Sequence, residues 1–405
     1  GFMQYRALTH GPKVVRGVYD DPNDPGAINH FQALSAALSG TVGLGNIGGV
    51  ALAIMLGGPG AIFWMWIVGF LGMSIKFVEV TLAMLYRNTD DPDNPHGGPM
   101  WVAGRALKRM KPELGWLGTV LAFGFSFCVM MSSGTGGNMF QAWNVADVTN
   151  EYFGVAGWIS GAVLTAVVGT VLIGGIKRIG KVAGTIVPAM VLIYIIAGFY
   201  VLFANVGEIP AMLKLIVVSA FLPTEATGAF IGGTVGSAFL FGMKRAVFSN
   251  EAGQGSSAIA HAAAKTDEPV REGLVGGMEP FIDTIVVCTF TALIILSTGV
   301  WNRAPDVTFD AEPQPVRTEA GWAYPDTPLP PGEWQDQEAL LIIVEADENS
   351  ATGQNIHRVG GIVSETAKGF IARWQPIDTE SSPRIRGGGF YQDHVGATLT
   401  AKAFD

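Results

Sequence analysis

Residues 31–57 read FQALSAALSGTVGLGNIGGVALAIMLG, without a single charged side chain. As a helix rising about 1.5 Å per residue, such a stretch is long enough to cross a hydrocarbon core of about 30 Å. Its middle, SGTVGLGN (39–46), sets glycines among polar residues and interrupts the apolar run. Unwound backbone in lipid leaves N–H and C=O groups unpaired, at several kcal/mol each, and persists only where it lines a polar cavity or is buried against protein. A second stretch repeats the pattern. Residues 229–248 are mainly apolar, SNEAGQGS (249–256) breaks the run, and SAIAHAAAK (257–265) resumes it. GLGNIGGVALA (43–53) and GQGSSAIAHAA (253–263) share G-x-G, a polar residue and a small or apolar helix. Glycines also serve close helix packing. Here the breaks carry Thr41, Asn46, Ser249, Asn250, Glu251, Gln254 and Ser256. That content favours a transport-type site: half-helix N-termini suit a substrate carboxylate, and freed carbonyls suit a small cation.

The rest of the chain agrees with a membrane reading. Of its 405 residues 49% are hydrophobic and 15% charged, against about a quarter charged in soluble domains. Residues 301–405 hold 16 acids and 8 bases, which leaves 18 acids and 17 bases for the first 300. A single soluble domain, a disordered chain and a nucleic-acid binder are excluded. Seven segments are expected to span the bilayer: 32–57, 61–86, 116–143, 154–174, 182–205, 229–265 and 273–299. IPAMLKLIVVSAF (209–221) is too short to span and reads as an interfacial or re-entrant helix. Cys128 and Cys288 fall in apolar runs and read as small buried hydrophobes. The polar opening GFMQYRALTHGPKVVRG does not read as a signal peptide, and a start without Met points to a piece of a longer chain.

Loop charges set an expected orientation. Arg6, Lys13 and Arg16, the 87–115 loop with Arg87, Arg105, Lys108, Arg109 and Lys111, the 175–181 loop with Lys177, Arg178 and Lys181, and the pair Lys265 and Arg271 all fall on one side of a seven-span count. Lys and Arg mark the cytoplasmic side. The opposite side has GGPG (57–60), a loop with Asp147 and Glu151, and a loop whose only base is Lys214. Residues 1–30 are then a cytoplasmic segment, 31–300 the spanning core, and 301–405 an acidic extracytoplasmic domain. ALLIIVEA (339–346), RVGGIVSE (358–365) and GFIARWQPI (369–377) lead us to expect β-strands there.

Long strings in the first 300 residues resemble the alanine or glycine:cation symporter family: residues 31–66, GGPM (97–100), NMFQAWNVAD (138–147), GGIKRIGK (174–181), KRAVFSNEAGQGSSAIAHAAAKT (244–266) and FIDTIVVCT (281–289). The resemblance implies an all-α polytopic membrane protein of the leucine-transporter type. In that fold two inverted five-helix repeats each open with a discontinuous helix, here the first and the sixth. It implies that this chain holds seven of the ten core helices, with a small β-containing extramembrane domain. TGVW (298–301) and GATLTAKAF (396–404) look like the family's flanks of an outer loop, enlarged here. The implied function is sodium-coupled symport of alanine or glycine by alternating access, in a bacterial inner membrane, with Na⁺ as coupling ion. The alternatives are a proton-coupled or other small-amino-acid carrier, or an inactive piece of one.

By the same resemblance, Thr41, Leu44, Gly45, Gln141, Phe248 and Gly253 would bind substrate, and Val42, Asn46 and Asp283 would bind sodium. Residue chemistry agrees in kind, because a zwitterion needs donors for its carboxylate and acceptors for its ammonium group. An aromatic wall such as Phe248 limits the side chain to about one methyl. Asp283, inside a span, is a functional candidate by its placement, or else the partner of a neighbouring Lys or Arg. Glu251 reads as a cap for the second half of the sixth helix. Lys76 and Glu79, three apart, read as an ion pair on one helix face. The six histidines show no metal-ligand spacing, and no nucleophile–base pair suggests an enzyme.

Overall fold

A computed structural model describes residues 2–224, 229–230, 232–332, 334–349, 354–367 and 369–404. Ile231, in the sixth expected span, lies outside the described residues. Helix α1 (Met3–Val15) leads to α2 (His30–Thr41). Asn29 starts α2 with a capping box: its side chain accepts the Gln32 N–H at 2.8 Å, and the Gln32 side chain accepts the Asn29 N–H at 3.2 Å. At Val42 the backbone turns extended (φ −81°, ψ 104°), and α3 (Leu44–Gly57) resumes the helix. Then come α4 (Gly60–Tyr86) and α5 (Pro99–Met110). Next, α6 (Gly115–Ser132) runs through a π-helical turn, Ser133–Met139, into α7 (Phe140–Phe153). Four helices follow: α8 (Gly157–Leu172), α9 (Gly175–Ala204), α10 (Ile209–Ser219) and α11 (Val235–Asn250). After the second break come α12 (Ser256–His261), α13 (Pro269–Gly276), a π-helical segment Phe281–Val287 and α14 (Cys288–Thr298).

Among the described residues five helical stretches are long and apolar enough to cross a membrane: His30–Gly57, Gly60–Tyr86, Pro112–Phe153, Gly175–Ala204 and Pro269–Thr298. Two of the seven expected spans fall outside this set. With 16 residues, α8 is about 24 Å long, and α11 is equally short because the second break ends it. The third span also differs from expectation. Helix continues to Phe153, so Asp147 and Glu151 sit on α7 and not in a loop. A π-helical turn carries the helix through SGTGGNM, inside the expected span. Phe123, Phe127, Met130 and Ile173 are exposed on these helices, as lipid-facing side chains are. The chain is therefore a polytopic helical membrane protein with a small β-sheet region.

Two compact units describe the chain: residues 1–49, 65–200 and 243–291 in one, and 50–64, 201–242 and 292–405 in the other. In the first, Leu34, Leu38 and Val42 pack with Val14, Ala183, Val187 and Val275. Arg87, just past α4, is buried, and its guanidinium donates to the carbonyls of Ala262 (2.9 Å), Ala264 (2.8 Å) and Thr266 (2.5 Å). A cation thus meets carbonyls left over where α12 ends.

The second unit holds the sheet. Its strands are β1 (Val307–Thr308), β2 (Val316–Thr318), β3 (Gly321–Ala323), β4 (Thr327–Pro328), β5 (Ala339–Asn349), β6 (Gln354–Thr366), β7 (Gly369–Trp374) and β8 (Arg384–Gln392). Six of them form an antiparallel sheet in the order β1-β8-β5-β6-β7-β4, and β2 pairs with β3. The run LLIIV of β5 is apolar throughout because both its faces are covered. Leu340, Ile342 and Val344 join Val359, Val363, Trp374 and Phe390, while Leu341 and Ile343 join Ile356, Tyr391 and Ala229. A short helix α15 (Ala397–Lys402) follows, and its Leu399 lines a cavity of about 10 Å³ together with Trp301.

Candidate functional site

Both broken helices meet in the first unit. Thr41 is the last residue of α2 and buried, its hydroxyl 3.5 Å from the Leu38 carbonyl. Val42 is buried at the break, where its N–H closes α2 on Leu38 at 2.7 Å. Leu44 and Gly45 open α3, so their amides belong to the first turn, whose N–H groups have no partner within the helix. Gly45 faces the other break: a Cβ there would lie 3.7 Å from the Cα of Ser249.

Asn46 ties the two breaks together. Its Oδ1 accepts the Gly43 N–H at 2.8 Å, which fixes the other end of the amide as the donor. Nδ2 then lies 2.5 Å from Asp283 Oδ1, 3.1 Å from the Asp283 carbonyl, 3.1 Å from Ser249 Oγ and 3.3 Å from Cys288 Sγ. Two hydrogens serve four neighbours, and the carboxylate is the nearest.

Asp283 sits fully buried in the π-helical segment. Its Oδ2 accepts from Ser249 Oγ at 2.9 Å and from Thr284 Oγ1 at 2.7 Å. No Lys or Arg lies within ion-pair distance of it among the described residues, so the basic-partner reading does not hold. A buried carboxylate whose direct contacts are all neutral donors would gain from an added cation. Hard oxygen donors from Asp283, Ser249 and Thr284, beside an unwound backbone, are the chemistry that suits a small monovalent cation. Val42, Gly43, Asn46 and Ile47, with Met190, Val191, Tyr194 and Val287, line a cavity of about 30 Å³, room for one or two waters.

The second break is a run of tight turns. Glu251 (φ 52°), Gly253 (φ 87°) and Gly255 (φ 81°) all adopt left-handed backbone. A non-glycine residue there costs on the order of 1–3 kcal/mol, so the surroundings must hold Glu251 in place. Its carboxylate accepts from the Ser256 hydroxyl at the start of α12, and the Asn250 side chain accepts the Ala252 N–H at 3.0 Å. Gly253 is exposed, and its N–H donates to Glu79 at 3.2 Å.

Phe248, on the last turns of α11, meets Phe140 edge-on with ring centres 5.5 Å apart. Gly136 of the π-helical turn lies beneath it: a Cβ there would stand 3.5 Å from the ring. Gln141, next to Phe140, is half-buried. Thus Thr41, Val42, Leu44, Gly45, Asn46 and Asp283 gather around one junction. Phe248 joins it through its neighbour Ser249, whereas Gly253 belongs to the Glu79 contact.

Sequence spacing misjudged one pair. Lys76 is buried and its ammonium pairs with Glu279 at 3.1 Å, not with Glu79. Sequence reading also missed His261, whose ring nitrogens contact Glu272 and Glu279, and His30, whose ring contacts Glu272. Their partners stand 11, 18 and 242 residues away, so no local pattern announces them.

Comparison with known proteins places this geometry in a context. The profile of the sodium:alanine symporter family matches residues 1–321. The sodium/alanine symporter AgcS of Methanococcus maripaludis is 46% identical over 300 residues, covering 74% of this chain and 64% of that protein. "Probable sodium/glutamine symporter GlnT" of Bacillus subtilis is 38% identical over 302 residues, covering 74% and 60%. Amino-acid carrier protein AlsT of the same organism is 36% identical over 307 residues, covering 76% and 62%. The chain spans less than two-thirds of the length of each of these relatives. Strands β4 to β8 lie beyond the family match.

Proposed function

The chain belongs to the sodium:alanine symporter family, and from that premise we propose that it carries a small neutral amino acid, alanine or glycine, together with Na⁺ by alternating access. The observation that carries the proposal is the junction of Asn46, Ser249 and Asp283, because it joins the two helix breaks through a buried, cation-poor carboxylate.

In this reading Na⁺ is held by Asp283, Asn46 and the backbone at Val42. The amino acid's carboxylate lies on the first-turn amides of Leu44 and Gly45, where the helix dipole favours an anion. Thr41 and Gln141 supply polar contacts, Gly253 belongs to the turn that closes the second break, and Phe248 walls the side-chain space. Ion and substrate sit on one unwound segment, so each raises the other's affinity by the same factor. Downhill Na⁺ then drives uphill substrate. The core is of the leucine-transporter inverted-repeat type, with seven of its spans in residues 31–300. Residues 1–30 are cytoplasmic, and 301–405 form an enlarged extracytoplasmic loop. Trp301 and Leu399 lining one cavity fits an insertion whose ends come back together.

Uptake of labelled alanine into liposomes holding the complete transporter tests the proposal. Uptake should rise with an inward Na⁺ gradient and stop without one. Uptake indifferent to Na⁺ refutes the coupling. Competition by serine, D-alanine and glutamine separates the alanine carrier from a carrier of another amino acid, glutamine being the substrate in the name of one relative.

A further inference from the structure

A second polar cluster lies in the first unit, apart from the junction just described. It is a chain in which acid and base alternate. Asp20 faces His30 Nε2 at 3.4 Å, and His30 Nδ1 contacts one oxygen of Glu272. The other oxygen of Glu272 contacts His261 Nδ1. His261 Nε2 contacts one oxygen of Glu279, and Lys76 takes the other at 3.1 Å. Lys76 also donates to Ser257. Only the Asp20 end reaches solvent, with 43% of its side chain exposed against 0–1% for the rest.

Hydrogen counting decides what this chain holds. A neutral imidazole has one N–H and one lone pair. Each nitrogen of His261 faces a carboxylate oxygen, so one contact sets a lone pair against an anion unless an extra proton is present. His30 differs: its Nδ1 contacts Glu272, while its Nε2 makes no hydrogen bond among the described residues and only faces Asp20. The two buried carboxylates and the one buried ammonium are balanced when His261 carries that extra proton. We propose that Asp20, His30, Glu272, His261, Glu279 and Lys76 form a proton-binding site, with His261 as the group that holds the proton.

The neighbours limit how else the charge is balanced. Glu79 on α4 and Glu251 of the second break lie within electrostatic reach of Lys76 and Glu279. Arg87 lies within reach of Glu272 but is also within reach of Asp24 and Asp267. Asp283 lies within reach of Lys76. Losing the proton therefore leaves net negative charge away from water, which hydration relieves only if the elements part. Those elements are α2, α4, α12 and α13. The gathered arrangement is the proton-loaded one, so acid favours it and alkali favours separation. This deepens the transport reading, on which it rests for the motion of these helices.

Spin labels on Phe31→Cys in α2 and Val270→Cys in α13 measure the parting, with the exposed Cys128 replaced by serine. The complete transporter is held in liposomes and scanned over about pH 6–10, because the flanking carboxylates hold an imidazole's proton above its ordinary range. One short distance at acid pH should give way to a longer one, their ratio changing by up to about tenfold per pH unit for each linked proton. In Glu272→Gln and His261→Gln the ratio should stay within about twofold over the same range. Asp20→Asn leaves the buried part intact and removes one anion from the cluster, so the midpoint should move to lower pH. A flat wild type, or an unmoved midpoint in Asp20→Asn, overturns the site. Sodium-driven alanine uptake in the same liposomes keeps the two readings apart. Uptake with a pH-flat distance sinks the proton site alone, and a pH-responsive distance without uptake sinks the transport reading alone.

Discussion

Asp283→Asn separates a cation ligand from a structural acceptor. The carboxylate takes hydrogen bonds from Asn46 at 2.5 Å, Ser249 at 2.9 Å and Thr284 at 2.7 Å. An amide of the same shape keeps one acceptor, which goes to Asn46, since an NH₂ group cannot accept. Its own NH₂ then faces two hydroxyls, which turn to accept. Three charge-assisted bonds become neutral ones, at roughly 1 kcal/mol each, and the buried charge that burdened the fold disappears. Those effects oppose each other, so the melting temperature in detergent should move little. Sodium feels a different sum. A unit charge at about 4 Å contributes about 4 kcal/mol at an effective dielectric constant of about 20, or two to three orders of magnitude in binding. The sodium concentration giving half-maximal alanine uptake should therefore rise at least about a hundredfold. If Asp283→Asn inserts and melts like the wild type and its sodium dependence is unchanged, Asp283 does not hold the ion, and the carboxylate is only a clasp between the breaks.

Phe248→Ala removes the ring that stands over Gly136 and against Phe140. Larger neutral amino acids should then compete with alanine at least about tenfold better in uptake assays, since a methylene is worth about 1–3 kcal/mol in such a pocket. Gly255→Ala places a Cβ 2.4 Å from Pro99 on backbone at φ 81°, whereas Gly43→Ala meets nothing within 4 Å. The first should lose about 2–3 kcal/mol and the second under about 0.5 kcal/mol, read as melting in detergent. In the sheet, Asp347 accepts the Ser381 N–H and hydroxyl, both at 2.7 Å, and those bonds hold its carboxyl below the usual range. Its stabilising contribution is complete above the ordinary aspartate value of about 3.9 and fades as pH falls through the lower folded value. Asp347→Asn should remove that acid-side dependence from the melting of the sheet, and an unchanged acid limb would discard the assignment.

Both breaks were legible because glycine and polar residues together contradict an apolar helix, and a contradiction inside lipid has few physical resolutions. The sheet was legible in part: RVGGIVSE and GFIARWQPI lie in β6 and β7, and ALLIIV betrayed β5, though a continuous apolar run does not say that both faces are covered. The two π-helical segments were not legible. Inserting one residue into a helical turn leaves no mark on the 3.6-residue periodicity of an apolar stretch, and SGTGGNM gave no sign of it inside the third expected span. Charged side chains were the hardest. Lys76 and Glu79 have the spacing of a helical pair, but that rule was measured on surface helices, where water is the alternative. Lys76 is fully buried, so it must take the strongest acceptor that packing brings, and that acceptor, Glu279, arrives from another helix.

The two polar clusters share their helices. His30 stands on the first half of the broken helix and Asn46 on the second, with Val42 between them. Glu279 and Asp283 stand four residues apart, within about one helical turn. Any motion that swings α2 about the break at Val42 must therefore alter the contacts of His30 with Glu272 and those of Asn46 with Asp283 together. A cation held at the Asn46–Asp283 junction and a proton held at the His261 cluster would act on one hinge. Their coupling then follows from geometry without a path of intermediate residues, because each ligand biases the same two arrangements of the same helices.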